Sequence, residues 1–217
     1  MTPITVLLAE DHTIVRKGIR SLLDAESDID VVAEAENGRD AVEKAEQIHP
    51  DIVVMDHSMP ILNGLEAMRQ ILQRQPDIKV LILTMHTNEE YVFQFLQAGA
   101  AGYLVKQSAP GELVAAIRAV YQGQSFLSPS ISKAVIDEYV RQAGATAITD
   151  SLDTLTPRER EVLQLMAEGY TMREIGEQLH ISIKTAGVHR TNILQKLHLT
   201  SMTDLTRYAI RKGIISL

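Results

Sequence analysis

The 217-residue chain contains no cysteine, which excludes disulfides and thiolate metal sites outright. No apolar run approaches the length of a membrane span. The first residues hold no basic stretch followed by an apolar block, the pattern that marks a secretory signal. Together these absences predict a cytoplasmic protein with no membrane partner. What is present is ordinary for a globular chain: 45% apolar and 23% charged residues, over a length suited to one large domain or two modest ones.

Negative charge dominates, but unevenly. Residues 151–217 carry nine Lys and Arg against seven Asp and Glu, so the net charge of −7 places an excess of nine negative charges in residues 1–150. From Ser182 onward there are six basic residues and one acid, Asp204. An acidic module joined to a neutral-to-basic one predicts that only the C-terminal part faces phosphates.

Residues 1–122 alternate short apolar runs with helical patterns. Ile4–Ala9, Val31–Ala35, Ile52–Met55, Val80–Leu83 and Tyr103–Val105 read as five strands. Between and after them lie five helical stretches. The first sets Ile14, Val15, Gly18, Ile19, Leu22 and Leu23 at helical spacing, and the last carries Leu113, Ala116, Ile117 and Val120. Five such units predict an α/β domain with a five-stranded, doubly wound parallel sheet, buried on both faces because its strands are almost continuously apolar. Residues 123–154 are rich in Gly, Ser, Ala and Thr and read as a linker with a short helix around Lys133–Arg141. Residues 155–217 show helical patterning alone. Thr156-Pro157-Arg158-Glu159 and Thr171-Met172-Arg173-Glu174 are capping boxes, Ser182 can cap a third helix, and a fourth starts near Thr203. This predicts an all-α, four-helix second domain.

Polar residues follow four of the buried strands: Glu10 and Asp11, then Asp56, Thr84 and Lys106. In open α/β sheets, sites form at the carboxyl ends of strands, so these side chains are predicted to converge. Carboxylates gathered together repel unless a cation joins them, and oxygen donors select Mg²⁺. Asp56 sits centrally, at the tip of the third strand, and is the natural phosphoryl acceptor, with Thr84 and Lys106 placed for the remaining phosphoryl oxygens.

These residues carry a family resemblance. Ala9-Glu10-Asp11, Val54-Met55-Asp56-His57-Ser58-Met59-Pro60, Leu62-Asn63-Gly64, Leu83-Thr84 and the run from Ala98 to Lys106 resemble the receiver domain, a flavodoxin-like fold, of two-component response regulators. The resemblance implies phosphorylation of Asp56 by a histidine kinase, with Mg²⁺ held by Glu10, Asp11, Asp56 and the Ser58 backbone carbonyl. It also implies coupled movement of Thr84 and Tyr103. Glu10 departs from the commoner aspartate, which makes Asp11 the expected direct ligand. His86 stands two residues after Thr84, a position expected to tune phosphoryl lifetime.

Residues 170–197 read as helix, turn, helix, with Ile183, Ala186, Ile193 and Leu197 as the inner stripe. Leu155-Thr156-Pro157-Arg158-Glu159-Arg160-Glu161-Val162-Leu163 and the run from Ile181 to Arg190 resemble the LuxR-type helix-turn-helix. The whole chain is similar to the NarL/FixJ class of response regulators. For double-stranded DNA the resemblance implies that Lys184, Thr185, His189, Arg190 and Lys196 serve phosphates or helix positioning. Gly187, Val188 and Thr191 fall at base-reading positions. It further implies that the receiver masks the DNA-binding domain or its dimer contact until phosphorylated, and that a homodimer then forms through the helix near Leu205 and Ala209. Met172 and Arg173 depart from the usual small polar residue followed by lysine. Gly187 inside a helix costs roughly 1 kcal/mol relative to alanine.

The predicted function is therefore a phosphorylation-controlled transcriptional regulator whose only covalent chemistry is its own phosphorylation and slow dephosphorylation. Two other classes remain open on the residues alone. An aspartate-based phosphohydrolase usually carries a second acid two residues after its nucleophile, where this chain has Ser58. A regulator working without phosphorylation would bind DNA equally well as Asp56→Asn.

Overall fold

In order, the chain forms β1 (Ile4–Ala9), α1 (Thr13–Asp24), β2 (Ile29–Ala35), α2 (Gly38–Ile48), β3 (Ile52–Asp56) and α3 (Gly64–Arg74). Next come β4 (Lys79–Thr84), α4 (Glu89–Gln97), β5 (Gly102–Val105), α5 (Pro110–Tyr121) and β6 (Phe126–Leu127). A single 3₁₀ turn, Ser151–Thr154, leads to α6 (Pro157–Ala167), α7 (Met172–Gln178), α8 (Ile183–Lys196) and α9 (Met202–Arg211). This computed structural model describes residues 2–85, 89–106, 110–129, 131, 132, 135 and 151–215. His86 and most of the linker-helix expectation around Lys133–Arg141 lie outside the described residues.

The strands form one parallel sheet of order β2-β1-β3-β4-β5-β6. Side chains alternate across it with the period of two that a pleated strand imposes. Leu7, Ala9, Val53 and Met55 pack with Ala41, Val42, Met68, Ile71, Val92 and Phe95 from α2, α3 and α4. Ile4, Val6, Leu8, Ile52 and Val54 pack on the other face with Leu23 of α1 and Leu113, Ile117 and Val120 of α5. Burial on both faces explains why the strands are so continuously apolar.

The sheet has six strands where five are expected. Phe126 and Leu127, at the start of the linker, add a short parallel edge strand in register with Gly102 and Tyr103. Two residues are too few to show a period, so this strand depends on the open edge of β5 rather than on its own pattern.

The first helix also departs from expectation. Leu23 is buried, but Ile14 is 88% exposed. Arg16 turns inward instead and is buried, donating to the Glu10 carbonyl at 2.6 Å and pairing with Glu34 at 3.1 Å. An ion-paired arginine has displaced the apolar residues from the inner face of that first turn.

The C-terminal helices enclose a second core of Val162, Leu163, Met166, Ile175, Ala186, Ile193, Leu205 and Ala209. Thr156 and Thr171 both complete capping boxes, with Glu159 and Glu174 reaching back, and Ser182 caps α8 through the Thr185 amide. Ala186 and Ile193 of α8 and Leu197 at its C-terminal cap are buried as expected, whereas Ile183 is 57% exposed. It occupies the first helical position, where no preceding turn covers it. Leu205 and Ala209 of α9 are fully buried in their own domain. Met202, Thr203, Arg207 and Arg211 are the exposed residues on that helix, so any pairing contact falls to them.

Candidate functional site

Strand order reverses direction between β1 and β3, and the carboxyl ends of those strands carry the acids. Asp56 ends β3 and is 4% exposed; Glu10, just after β1, is 1% exposed. Ligand atoms of Glu10, Asp11, His12 and Asp56 all lie within 4.8 Å of one another. Lys106, just after β5, crosses the gap and sits 2.6 Å from Glu10 Oε2 and 3.0 Å from Asp56 Oδ1. Thr84, the last residue of β4, is fully buried and shares a hydrogen bond with Tyr103. Thus Glu10, Asp11, Asp56 and Lys106 converge, with Thr84 at the neighbouring strand end. Ser58 follows in the loop after Asp56 and is half-buried.

Burial penalises charge in this pocket. Desolvation raises the Asp56 carboxyl to about 6, and repulsion from Glu10 and Asp11 adds to it, while Lys106 pulls the other way. Burial works against the Lys106 ammonium, but attraction to Asp56 and Glu10 outweighs it and its pKa lies above the ordinary value. Burial likewise pushes the Tyr103 phenol up, with the Thr84 hydrogen bond opposing. The donor set is oxygen-rich and strongly negative, with the His12 ring at 2.8 Å from Asp11. These residues fit a hard divalent cation.

The loop after Asp56 is tightly closed. The Gly64 amide donates to the His57 carbonyl at 2.9 Å. A Cβ on Gly64 would lie 2.1 Å from the Asp56 carbonyl oxygen, so no other residue fits there. Asn63 caps α3 by accepting from the Glu66 amide at 3.0 Å. The Leu62-Asn63-Gly64 stretch therefore fastens the acceptor strand to the next helix. Behind Asp56, His57 stands edge-on to Tyr91 (5.0 Å) and Phe95 (5.2 Å), and Phe95 in turn to Tyr103 (6.0 Å).

Sequence reasoning missed several residues here. Arg16 fixes the backbone of the acid pair, holding the Glu10 carbonyl and bridging to Glu34 and Glu36. Its one signal is a basic residue directly after the apolar pair Ile14 and Val15 in the first turn of the helix. His12 lines the acid cluster, although only its position next to Asp11 hints at this.

The second candidate surface is the outer side of α8. Lys184, Thr185, Val188, Arg190 and Thr191 are exposed, with Val188 at 52%, and Gly187 and His189 are partly exposed. Lys196 instead reaches back to Glu159 of α6 at 2.7 Å, tying two helices together. Of the two roles open to Lys196, this geometry is helix positioning.

The two domains meet away from α8. Arg160 of α6 pairs with Glu66 at 2.7 Å, Gln70 bonds Glu161 at 2.8 Å, and Arg39 pairs with Glu161 at 3.0 Å. The Tyr91 hydroxyl donates to the Arg211 carbonyl at the end of α9, at 2.9 Å. Gly213 follows with φ of 62°, and a Cβ there would meet the Tyr91 ring at 2.4 Å. The docked receiver leaves Val188 and Ile183 open.

Two family models match. Residues 6–118 match the response regulator receiver domain, and residues 153–209 match the bacterial regulatory proteins of the luxR family. The oxygen regulatory protein NreC of Staphylococcus carnosus is 39% identical over 213 residues, spanning 97% of this chain and 98% of that protein. The transcriptional regulatory protein DegU of Brevibacillus brevis is 40% identical over 222 residues, spanning 97% and 94%. Among solved structures, the RcsB response regulator of Salmonella typhimurium aligns with a TM-score of 0.60 at 29% identity, covering 96% of this chain and 98% of that one. The acid pocket at the strand ends, the capped helix-turn-helix and these relatives, matched over 97% of the chain, lead to one conclusion: the chain belongs to the two-component response regulators that join a receiver domain to a LuxR-type DNA-binding domain.

Proposed function

We propose that Asp56 is the phosphoacceptor through which a histidine kinase controls DNA binding by α8. The observation that carries this reading is the convergence of Asp56, Glu10 and Lys106 within 3.0 Å contacts at the ends of three separate strands. In the transfer, a carboxylate oxygen of Asp56 forms a bond to phosphorus. The P–N bond of the kinase phosphohistidine breaks, and its electron pair returns to the imidazole. Lys106 is placed to pair with a phosphoryl oxygen, and Thr84 to donate its hydroxyl to another. Moving Thr84 would disturb its hydrogen bond to Tyr103, which couples the pocket to the Phe95 and His57 rings. Glu10, Asp11, Asp56 and the Ser58 carbonyl would hold Mg²⁺. Bound there, the ion supplies positive charge that offsets the carboxylates and the transferring group.

On the DNA side, α8 enters the major groove with Val188 and Thr191 toward base edges and Gly187 allowing close approach. Lys184, Thr185, His189 and Arg190 hold phosphates. The RcsB relative is described in complex with DNA and as dimers on two parallel DNAs. We extend pairing to this chain, with Met202, Thr203, Arg207 and Arg211 of α9 as the face available for it. Because docking leaves α8 open, the receiver acts by fixing the orientation of α6 and α9, not by covering the groove-reading residues.

The test is intact mass after incubation with acetyl phosphate and Mg²⁺, followed by mobility shift on genomic fragments. Wild type is expected to gain one phosphoryl adduct and to bind DNA more tightly, and Asp56→Asn to do neither. DNA binding that is identical with and without the adduct would leave a regulator that works independently of phosphorylation.

A further inference from the structure

We propose that Gln164, a residue of the DNA-binding domain, is a positioning residue for the phosphoacceptor loop of the receiver. Docking of α6 thereby raises the Mg²⁺ affinity of the Asp56 pocket. The inference rests on the phosphoacceptor reading of Asp56.

Gln164 projects from α6 and is 0% exposed, although its nearest polar partners belong mainly to the other domain. Its Nε2 donates to the Met59 carbonyl at 3.1 Å and to Glu168 at 2.7 Å. Its Oε1 accepts from the Asn63 amide at 2.8 Å and from Asn63 Nδ2 at 3.0 Å. The side-chain amide is therefore fully used, two donors and two acceptor positions, across the segment from Met59 to Asn63. That segment starts three residues after Asp56, and its far end caps α3 through Asn63.

A second observation points to the same clamp. Ile61, midway along the segment, has φ of 69°. A β-branched residue rarely adopts this left-handed conformation, and it persists only where its surroundings hold it. The Ile61 amide donates to Glu168, one helical turn beyond Gln164, at 3.4 Å. Two residues at the C-terminal end of α6 thus restrain a loop that is strained on its own. Its other anchors are the buried Met59 and Leu62 side chains, the Gly38 amide, which donates to the Leu62 carbonyl at 3.1 Å, and Gly64, pressed against the Asp56 carbonyl.

Ser58 lies between Asp56 and the Met59 carbonyl that Gln164 holds. Mg²⁺ demands near-ideal geometry from its oxygen ligands, so a carbonyl on a released, relaxing loop binds it less well. Linkage makes the coupling reciprocal: what docking gives to metal affinity, metal gives to docking. The metal-loaded, unphosphorylated protein is then the docked one, and phosphoryl transfer rather than metal loading releases the DNA-binding domain.

The experiment follows the Gly64 amide resonance of unphosphorylated full-length protein during a MgCl₂ titration, in wild type, Gln164→Met and Gln164→Ala. Methionine keeps the length of the side chain and removes its polar atoms. Half-saturation is expected to rise about three- to tenfold in whichever variants retain the folded amide spectrum, given the loss of hydrogen bonds to the loop. Exchange of the Asn63 amide is expected to accelerate in metal-free protein. Arg118→Ala, which removes ion pairs to Glu26 and Asp28 within the receiver and outside the interface, is expected to leave the titration unchanged. An unchanged or lower half-saturation in folded Gln164→Met overturns the proposal. A wild type that takes no adduct at Asp56 removes the phosphoacceptor reading and this inference with it, so the two failures are distinguishable.

Discussion

Asp56 is a buried acid whose environment disfavours its own charge. Its folded value near 6 lies above the ordinary 3.8. A raised carboxyl contributes stability at low pH, and that contribution is lost as pH rises through the folded value. By linkage, the ionised group costs the protein about 3 kcal/mol above that range before any cation binds. Asp56→Asn is therefore expected to stabilise the metal-free protein more at about pH 8 than at about pH 4, by on the order of 2 kcal/mol. Urea unfolding at the two pH values checks this, and equal gains would mean that Asp56 titrates as an exposed aspartate. Asp56 and its partners were legible in the sequence because each polar residue breaks an apolar run at the end where a parallel sheet places its sites. Arg16 and Gln164 were not, because each is defined by a carbonyl or carboxylate that only folding brings within reach.

At the scale of elements, α8 combines a well-capped start with a weak interior. Ser182 caps it, and Ser182→Ala is expected to cost about 1 kcal/mol in thermal unfolding of the DNA-binding domain. Gly187 has nothing within 4 Å of the position its Cβ would occupy. Gly187→Ala is thus expected to stabilise by up to about 1 kcal/mol while changing operator preference in a mobility-shift competition. Greater stability with unchanged preference would show that position 187 reads nothing. Helix positions and caps were readable because the 3.6-residue period and the capping boxes are local. Helix faces were less so. Ile14 and Ile183 counted as inward by spacing, yet a first-turn residue has no preceding turn over it, and Arg16 took the inner place in α1.

For the whole molecule, the docking interface is polar: Arg160–Glu66, Arg39–Glu161, Gln70–Glu161 and the Tyr91 hydroxyl on the Arg211 carbonyl. Interfaces of this kind inside a chain are expected to open and close. Arg160→Ala combined with Tyr91→Phe is expected to enlarge the radius of gyration of the unphosphorylated protein in solution scattering. It is also expected to raise DNA affinity toward that of the phosphorylated form. An enlarged molecule with unchanged DNA affinity would separate docking from control. Among the described residues, no helix is long and apolar enough to cross a membrane.

The sequence by itself determined the two-part organisation, the parallel sheet, the capped helices and the acid cluster with its lysine. Each of these is written in periodicities and strand ends that a few consecutive residues display. Tertiary structure alone decided the sixth strand, the inward turn of Arg16 and the docking of α6 on the acceptor loop. Gln164 and Asn63 stand 101 positions apart. No local pattern encodes such a contact, since it forms only when two separately folded surfaces match in shape and hydrogen bonding.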